Sequence, residues 1–106
     1  MIWLLLTLLA PQESPYEPKT RAELNALSES YTAAQFDVAI SANGRVSCNS
    51  TPRVNSATLS VQSCIMAANC AEKGERDLKK LVRCIERGKP GLLRAYRRDW
   101  LRAHPQ

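Results

Sequence analysis

Cysteine is the residue that most constrains this chain. Its 106 residues contain four cysteines in the spacing C-x15-C-x5-C-x13-C, at Cys48, Cys64, Cys70 and Cys84. An even number of cysteines in a short chain predicts a disulfide framework, and four cysteines allow three pairings. Closing a loop of about 15 residues contributes roughly 3 kcal/mol to stability. No C-x2-C pair is present, so the spacing favours neither a zinc site nor a redox dithiol, and no cofactor is expected.

The N-terminal segment predicts export. Residues 1–10 are apolar and uncharged, and they end in Ala10. Ten residues are too few to cross a bilayer as a helix, so we interpret the segment as a signal peptide or a truncated signal remnant. The alternative is a buried N-terminal helix or strand. Residues 11–19 form a Pro-rich leader, since proline disfavours both helix and strand pairing. Export and paired cysteines together indicate a periplasmic or secreted protein.

A β-hairpin is predicted over residues 35–49. Apolar and polar residues alternate from Phe36 to Ile40, as they do in a strand with one buried face, and the return strand alternates in the same way. Asn43-Gly44 favours a tight turn in which both central residues take positive φ. A short helix over residues 20–30 is expected to precede the hairpin.

Helices are predicted at about residues 58–71, 75–87 and 92–102. Four residues of the first can share one buried face: Leu59, Cys64, Ile65 and Ala68. The stretch Gly88–Gly91, with Pro90 inside it, is expected to end the second helix. The predicted fold class is therefore α+β: residues 20–106 form a single small domain in which a two-stranded antiparallel hairpin packs with C-terminal helices.

Positive charge is concentrated in the last third of the sequence. Residues 72–106 hold eleven Lys or Arg and five Asp or Glu, whereas residues 1–71 hold four and five. A cationic helix with an apolar stripe is typical of proteins that bind anionic membrane surfaces. The residues that would make this contact are Lys79, Lys80, Arg83, Arg87, Lys89, Arg94, Arg97, Arg98 and Arg102.

The plainer interpretation of the same region is a solvated helix face. In that case the apolar stripe packs on the hairpin; its residues are Leu92, Leu93, Tyr96 and Trp100. Nucleic acid is not expected as a partner, because an exported chain rarely meets it.

No enzymatic motif is present. The one histidine, His104, lies in a C-terminal tail that we expect to fray, and no Gly-rich phosphate loop occurs among four glycines. Asp37 is the only acid between Glu29 and Glu72, so a pair of carboxylates near the hairpin is absent. A non-enzymatic protein is expected.

Residues 31–66 contain a recurring order of motifs. A strand is followed by the turn Asn43-Gly44-Arg45-Val46, then Cys48, a loop with Thr51, and Leu59-x-x-x-Ser63-Cys64 at a helix start. This order resembles the C-terminal domain of TonB-type energy transducers, in the cysteine-bearing version of some exported bacterial proteins. The sequence departs from that family after the helix, where basic helices replace a third strand.

The resemblance implies both a disulfide and a function. By it, Cys48 pairs with Cys64 and ties the helix to the hairpin; Cys70 and Cys84 would then join the two later helices, outside the family pattern. A full membrane anchor and a long Pro-rich spacer are missing, so coupling to a membrane motor is not expected. The leading hypothesis is a small periplasmic module that binds a protein partner through an open strand edge. The alternative is the cationic membrane-binding protein described above.

Overall fold

The structure, a computed structural model, describes residues 17–105. It confirms the α+β class: a two-stranded antiparallel hairpin packs with three helices. The elements are α1 (Arg21–Ala33), β1 (Gln35–Ile40), β2 (Val46–Thr51), α2 (Ala57–Glu72) and α3 (Leu78–Ala103). The predicted signal segment, residues 1–10, and residues 11–16 of the leader lie outside the described residues.

The hairpin pairs β1 with β2 from Ile40 opposite Val46 to Gln35 opposite Thr51. Phe36 and Val38 point into the core, as the alternation predicted. The second strand runs two residues past the predicted end at 49 and stops immediately before Pro52, which has no N–H to donate.

The turn differs from the one predicted. Gly44 has φ +85, but Asn43 does not have a positive φ. The amide of Gly44 donates to the carbonyl of Ser41 (2.9 Å), and the amide of Ser41 donates to the carbonyl of Arg45 (2.9 Å). Residues 41–44 therefore make the turn, and Gly44, its fourth residue, is also the left-handed bulge residue of a common three-residue hairpin loop. Only the glycine needs a left-handed conformation here.

Helix α1 begins where its sequence predicted. Thr20 is the N-cap, and its hydroxyl accepts from the amide of Glu23 (3.1 Å). The Glu23 carboxylate accepts from the amide of Lys19 (2.7 Å), one residue earlier than in the usual capping box. The helix runs three residues past the predicted end, because Tyr31 is fully buried and extends its apolar face.

Helix α2 buries a different face from the one predicted. Its buried residues follow a strict four-residue spacing: Leu59, Ser63, Ala67 and Ala71. Ile65 is 49% exposed, so its placement in the core was wrong. The small side chains on the buried face let α2 approach its neighbours closely. Ser63 is tolerated there because its hydroxyl lies 2.6 Å from the hydroxyl of Tyr31.

Both disulfides form in the expected pairing. Cys48 of β2 joins Cys64 of α2, with 5.7 Å between Cα atoms. Cys70 of α2 joins Cys84 of α3, with 6.8 Å between Cα atoms. All four cysteines are therefore paired within the domain.

The helices predicted at about residues 75–87 and 92–102 form one continuous helix. Helix α3 begins at Leu78, capped by Asp77, and runs without interruption through Gly88–Gly91 to Ala103. At about 1.5 Å per residue it is roughly 39 Å long. Pro90 has no N–H, so the helix lacks one backbone hydrogen bond at this position. The packing of α3 against the domain on either side of Pro90 outweighs that loss. A Cβ at Gly88 would meet the side chain of Met66, so this glycine lies where α2 and α3 pack closely rather than at a helix end.

Lys89 lies in the core rather than on the cationic surface to which its sequence position assigned it. It is 5% exposed, and its ammonium donates to the carbonyl of Ala34 (2.5 Å) at the end of α1. The ammonium lies 3.0 Å from the Glu86 carboxylate and over the rings of Tyr31 and Phe36, at 5.5 and 5.2 Å from their centres. A buried charge needs such partners, and these contacts hold α3 against α1 and β1.

Replacing Cys48 and Cys64 together by alanine is expected to lower the free energy of unfolding by about 2–4 kcal/mol, because the closed loop no longer limits the unfolded state. Urea unfolding of the oxidised protein measures the loss. Lys79→Ala, at an exposed position, is the control and should change stability by less than about 0.5 kcal/mol. Equal stability of the double variant and the natural sequence would contradict the prediction.

Lys89→Met is expected to lower the free energy of unfolding by about 1–3 kcal/mol, because the buried carbonyl of Ala34 loses its donor while the volume is kept. Lys80→Met makes the same change at an exposed position and should be nearly neutral. Thermal or urea unfolding of the two variants side by side measures the difference. A Lys89→Met protein as stable as the Lys80→Met protein would show that the buried ammonium contributes nothing.

Candidate functional site

A groove lies between β2 and the first half of α2. Its volume is about 580 Å³, and the Cys48–Cys64 disulfide joins the two elements that form its walls. The residues that line it are Phe36, Cys48, Asn49, Ser50, Arg53, Ser60, Val61 and Cys64. We call this the β2 groove. It exists because the disulfide fixes the helix beside the strand while α2 turns its buried face toward the core.

The outer edge of β2 is open beside this groove. In the described part of the chain, β2 pairs with β1 and with no other strand. Hydrogen-bonded and non-hydrogen-bonded residue pairs alternate along an antiparallel ladder. The bond from the Ser41 amide to the Arg45 carbonyl identifies that pair as hydrogen-bonded and so assigns every other pair of the hairpin. The alternation directs the backbone N–H and C=O groups of Val46, Cys48 and Ser50 away from β1. Within residues 17–105 no backbone group bonds to them.

One exposed apolar side chain of α2 lines the groove, and a second lies one helical turn beyond it. Val61 lines the β2 groove and is 57% exposed, and Ile65 is one helical turn further along α2 and 49% exposed. Residues four apart share a helix face, so the two form a short apolar ridge. Arg53 adds a positive charge at the groove, and no carboxylate among residues 17–105 pairs with it. The pattern missed this ridge because it assigned Ile65 to the core.

The predicted cationic residues do not act as one set. Arg97 is partly buried and donates to the Asn25 side chain (3.2 Å) and the Ser28 hydroxyl (2.7 Å), so it ties α3 to α1. Arg98 pairs with Asp99 at 3.1 Å. The remaining members are exposed along α3: Lys79, Lys80, Arg83, Arg87, Arg94 and Arg102.

The apolar face of α3 is occupied within the domain. Leu81, Ile85 and Trp100 are buried, and Leu92 and Leu93 pack against the core. The amphipathic pattern was therefore correct, but its apolar side faces the protein rather than a membrane.

Tyr96 and Trp100 hold the end of the leader rather than the hairpin. The Trp100 indole N–H donates to the carbonyl of Pro18 (2.9 Å), and the Tyr96 hydroxyl donates to the Glu17 carboxylate (2.5 Å). A cavity of about 650 Å³ lies among these residues, with Leu59 also in its lining. The bonds from Tyr96 and Trp100 fasten Glu17 and Pro18 to the domain. No local pattern in the sequence indicates this contact.

Glu17 is the centre of this contact. Its carboxylate also accepts from the Ser56 hydroxyl (2.7 Å) and the Thr58 amide (3.1 Å), at the start of α2. Burial alone would raise the pKa of Glu17, but the hydrogen bonds from Tyr96, Ser56 and Thr58 outweigh it, and the pKa is lowered. For Tyr96, burial and the Glu17 carboxylate raise the pKa to about 12.

The side chain of His104 contacts the last turn of α3. Its ring stacks on Trp100, with 4.0 Å between ring centres, and a ring nitrogen lies 2.9 Å from the Trp100 carbonyl. The stacking gives the histidine a packing role at the end of α3.

Residues 17–105 lack two further features, a cluster of metal ligands and a membrane-spanning helix. No three His, Cys, Asp or Glu side chains are grouped there as a metal site requires. None of the helices in that range combines the length and apolar character needed to cross a membrane.

Comparison with protein-family models, with curated proteins and with solved structures gives no match for this chain. The resemblance to the TonB C-terminal domain therefore stays a prediction.

Glu17→Gln is expected to lower stability near neutral pH and to matter less in acid. A lowered pKa means that the Glu17 carboxylate stabilises the fold above its ordinary pKa of 4.5 and loses this contribution as the pH falls through its folded value. Unfolding of the natural protein and the variant from about pH 7 to about pH 3 should show two free energies that converge below that pKa. A constant difference across the range would show that charge is not the cause.

Proposed function

We propose that this protein is a small exported, non-enzymatic module that binds an extended segment of a partner protein along the open edge of β2. The observation that carries the proposal is the coincidence of an unpaired strand edge with the apolar ridge of Val61 and Ile65. Exposed strand edges readily recruit extended chains, and folded proteins usually cover or charge them. Within the described residues no further strand covers the β2 edge, and Arg53 is the one charged residue in the lining of the groove beside it.

The mode of binding follows from the geometry of a third strand. Backbone groups of the partner segment would bond to those of Val46, Cys48 and Ser50, which supplies affinity without regard to sequence. Every second side chain of the segment would face α2 and contact Val61 and Ile65, which supplies selectivity. Arg53 favours a carboxylate on the segment. The expected ligand is therefore an extended peptide with alternating apolar residues and an acidic residue.

Two observations support an interaction module over the interfacial membrane protein. Binding at a membrane interface requires a free apolar helix face, and the apolar face of α3 is packed against the rest of the domain. On α2, in contrast, the exposed side chain of Val61 lines the groove beside β2. The function of a detached TonB-like C-terminal domain is consistent with this arrangement, since such a module would contact a partner through its sheet.

An oxidising compartment fits the paired cysteines, since such bridges form and persist outside the cytosol. Together with the signal-like residues 1–10, this supports a periplasmic or secreted location. A non-enzymatic role is supported by the cysteines being paired and by the packing role of His104.

A display library of linear peptides selected on the full oxidised protein tests the proposal. Selected peptides should shift the backbone amide resonances of β2 and of the first half of α2. Methylating alternate backbone nitrogens of a selected peptide should abolish binding in one of the two possible patterns and leave it intact in the other, because only every second residue bonds to β2.

Two matched variants locate the site of binding. Val61→Ser should weaken a selected peptide roughly fivefold to tenfold, because it removes an apolar contact. Leu78→Ser is the control: Leu78 is also exposed (45%) but belongs to α3. Peptides that bind equally well to both variants, or a selection that yields no binder, would contradict the proposal.

A further inference from the structure

A second concave surface lies at the Cys70–Cys84 end of the α2 and α3 pair. Its volume is about 600 Å³, and the disulfide is part of its lining. Four cations and one acid surround it, and we call it the basic pocket: Lys73, Lys80, Arg83 and Arg87, with Glu75. The pocket is separate from the β2 groove, and its function does not depend on the peptide binding proposed above.

The fold brings these cations together from two elements. Lys73 caps the end of α2, and Gly74, with φ +109, reverses the chain toward α3. Arg83 and Arg87 are four residues apart and therefore share a face of α3. The Cys70–Cys84 bridge fixes the end of α2 against that face. The sequence placed three of the four cations on one helix, but Lys73 belongs to the pocket only through the turn and the disulfide.

The cations of the pocket are free to bind a ligand. All four are exposed, and no salt bridge within residues 17–105 includes any of them. Arg76, the other cation of the turn, is already used: it donates to the carbonyl of Ala71 (2.8 Å). Glu75 accepts from the amide of Asp77 (3.0 Å) and offsets one positive charge. The pocket therefore keeps an uncompensated positive charge next to a rigid disulfide.

We infer that the basic pocket binds a phosphate group. A single carboxylate would leave most of its charge unpaired, whereas a phosphate carries up to about two negative charges and three acceptor oxygens. The two guanidinium groups can each donate a pair of hydrogen bonds to such an oxyanion, and the lysines act as point charges beside them. The phosphate belongs either to a soluble compound or to a lipid headgroup, and the chemistry of recognition is the same in both.

Two arms of one experiment distinguish the sources. In the first, inorganic phosphate is titrated into the full oxidised protein and the amide resonances of residues 73–75 and 83–87 are followed. In the second, the protein is sedimented with vesicles of phosphatidylcholine alone or mixed with phosphatidylglycerol. Binding in the first arm alone indicates a soluble phosphate compound, and binding that requires phosphatidylglycerol indicates a lipid headgroup.

Matched variants decide whether the pocket is the site. Arg83→Gln with Arg87→Gln should weaken binding roughly tenfold or more. Arg94→Gln with Arg102→Gln removes the same charge from exposed positions of α3 outside the pocket and should change binding less than about threefold. Glu75→Gln should tighten binding, because it removes the one negative charge while keeping an acceptor for Asp77.

The inference is overturned by either of two results. One is an equal loss in the two double variants, which would show that only the overall charge of α3 matters. The other is the absence of binding in both arms. Because the four arginines are exposed, circular dichroism should show that all variants remain folded. Peptide binding at the β2 groove should be the same in all of them, so failure here leaves the proposed function untouched.

Discussion

The structure depends on helix α2 being tied covalently on two sides. Cys64 joins it to β2 and Cys70, less than two turns later, joins it to α3. A two-stranded hairpin is marginally stable in water on its own, so β1 and β2 need a packed neighbour. The buried face of α2 supplies that neighbour, and the pair formed by Tyr31 and Ser63 adds a polar contact to α1. The bridges keep these contacts in one arrangement.

Each bridge also shapes one of the two concave surfaces. Cys48–Cys64 lies in the β2 groove, and Cys70–Cys84 lies in the basic pocket. The rotation of α2 about its own axis determines which of its side chains line these surfaces. Because Leu59, Ser63 and Ala67 turn inward, Val61 and Ile65 are left exposed, and Val61 lies in the groove beside the open strand edge. A half-turn difference in the helix would have buried the ridge and removed the apolar part of the site.

Local patterns in the sequence predicted the elements better than their connections. Alternation identified the buried residues Phe36 and Val38, and the resemblance predicted the Cys48–Cys64 bridge. The Gly88–Gly91 stretch was misjudged because glycine and proline disfavour a helix locally, whereas here buried residues on both sides of it, Ile85 and Trp100, pack the helix against the domain. Lys89 was predicted to be a surface cation because no local pattern indicates that its partner is a carbonyl on α1. The position of Lys73 in the basic pocket likewise depends on a turn and a bridge that spacing does not specify.

Because Lys89 is buried, its reaction with an amine reagent reports whether the domain is folded. The chain has five lysines, and in the structure Lys19, Lys73, Lys79 and Lys80 are exposed while Lys89 is enclosed. Reagents that acylate free amines therefore reach four side chains in the native protein and the fifth only after α3 has separated from α1. The extent of acylation at Lys89 therefore measures the fraction of molecules in which α3 has separated from α1, even in an unpurified mixture.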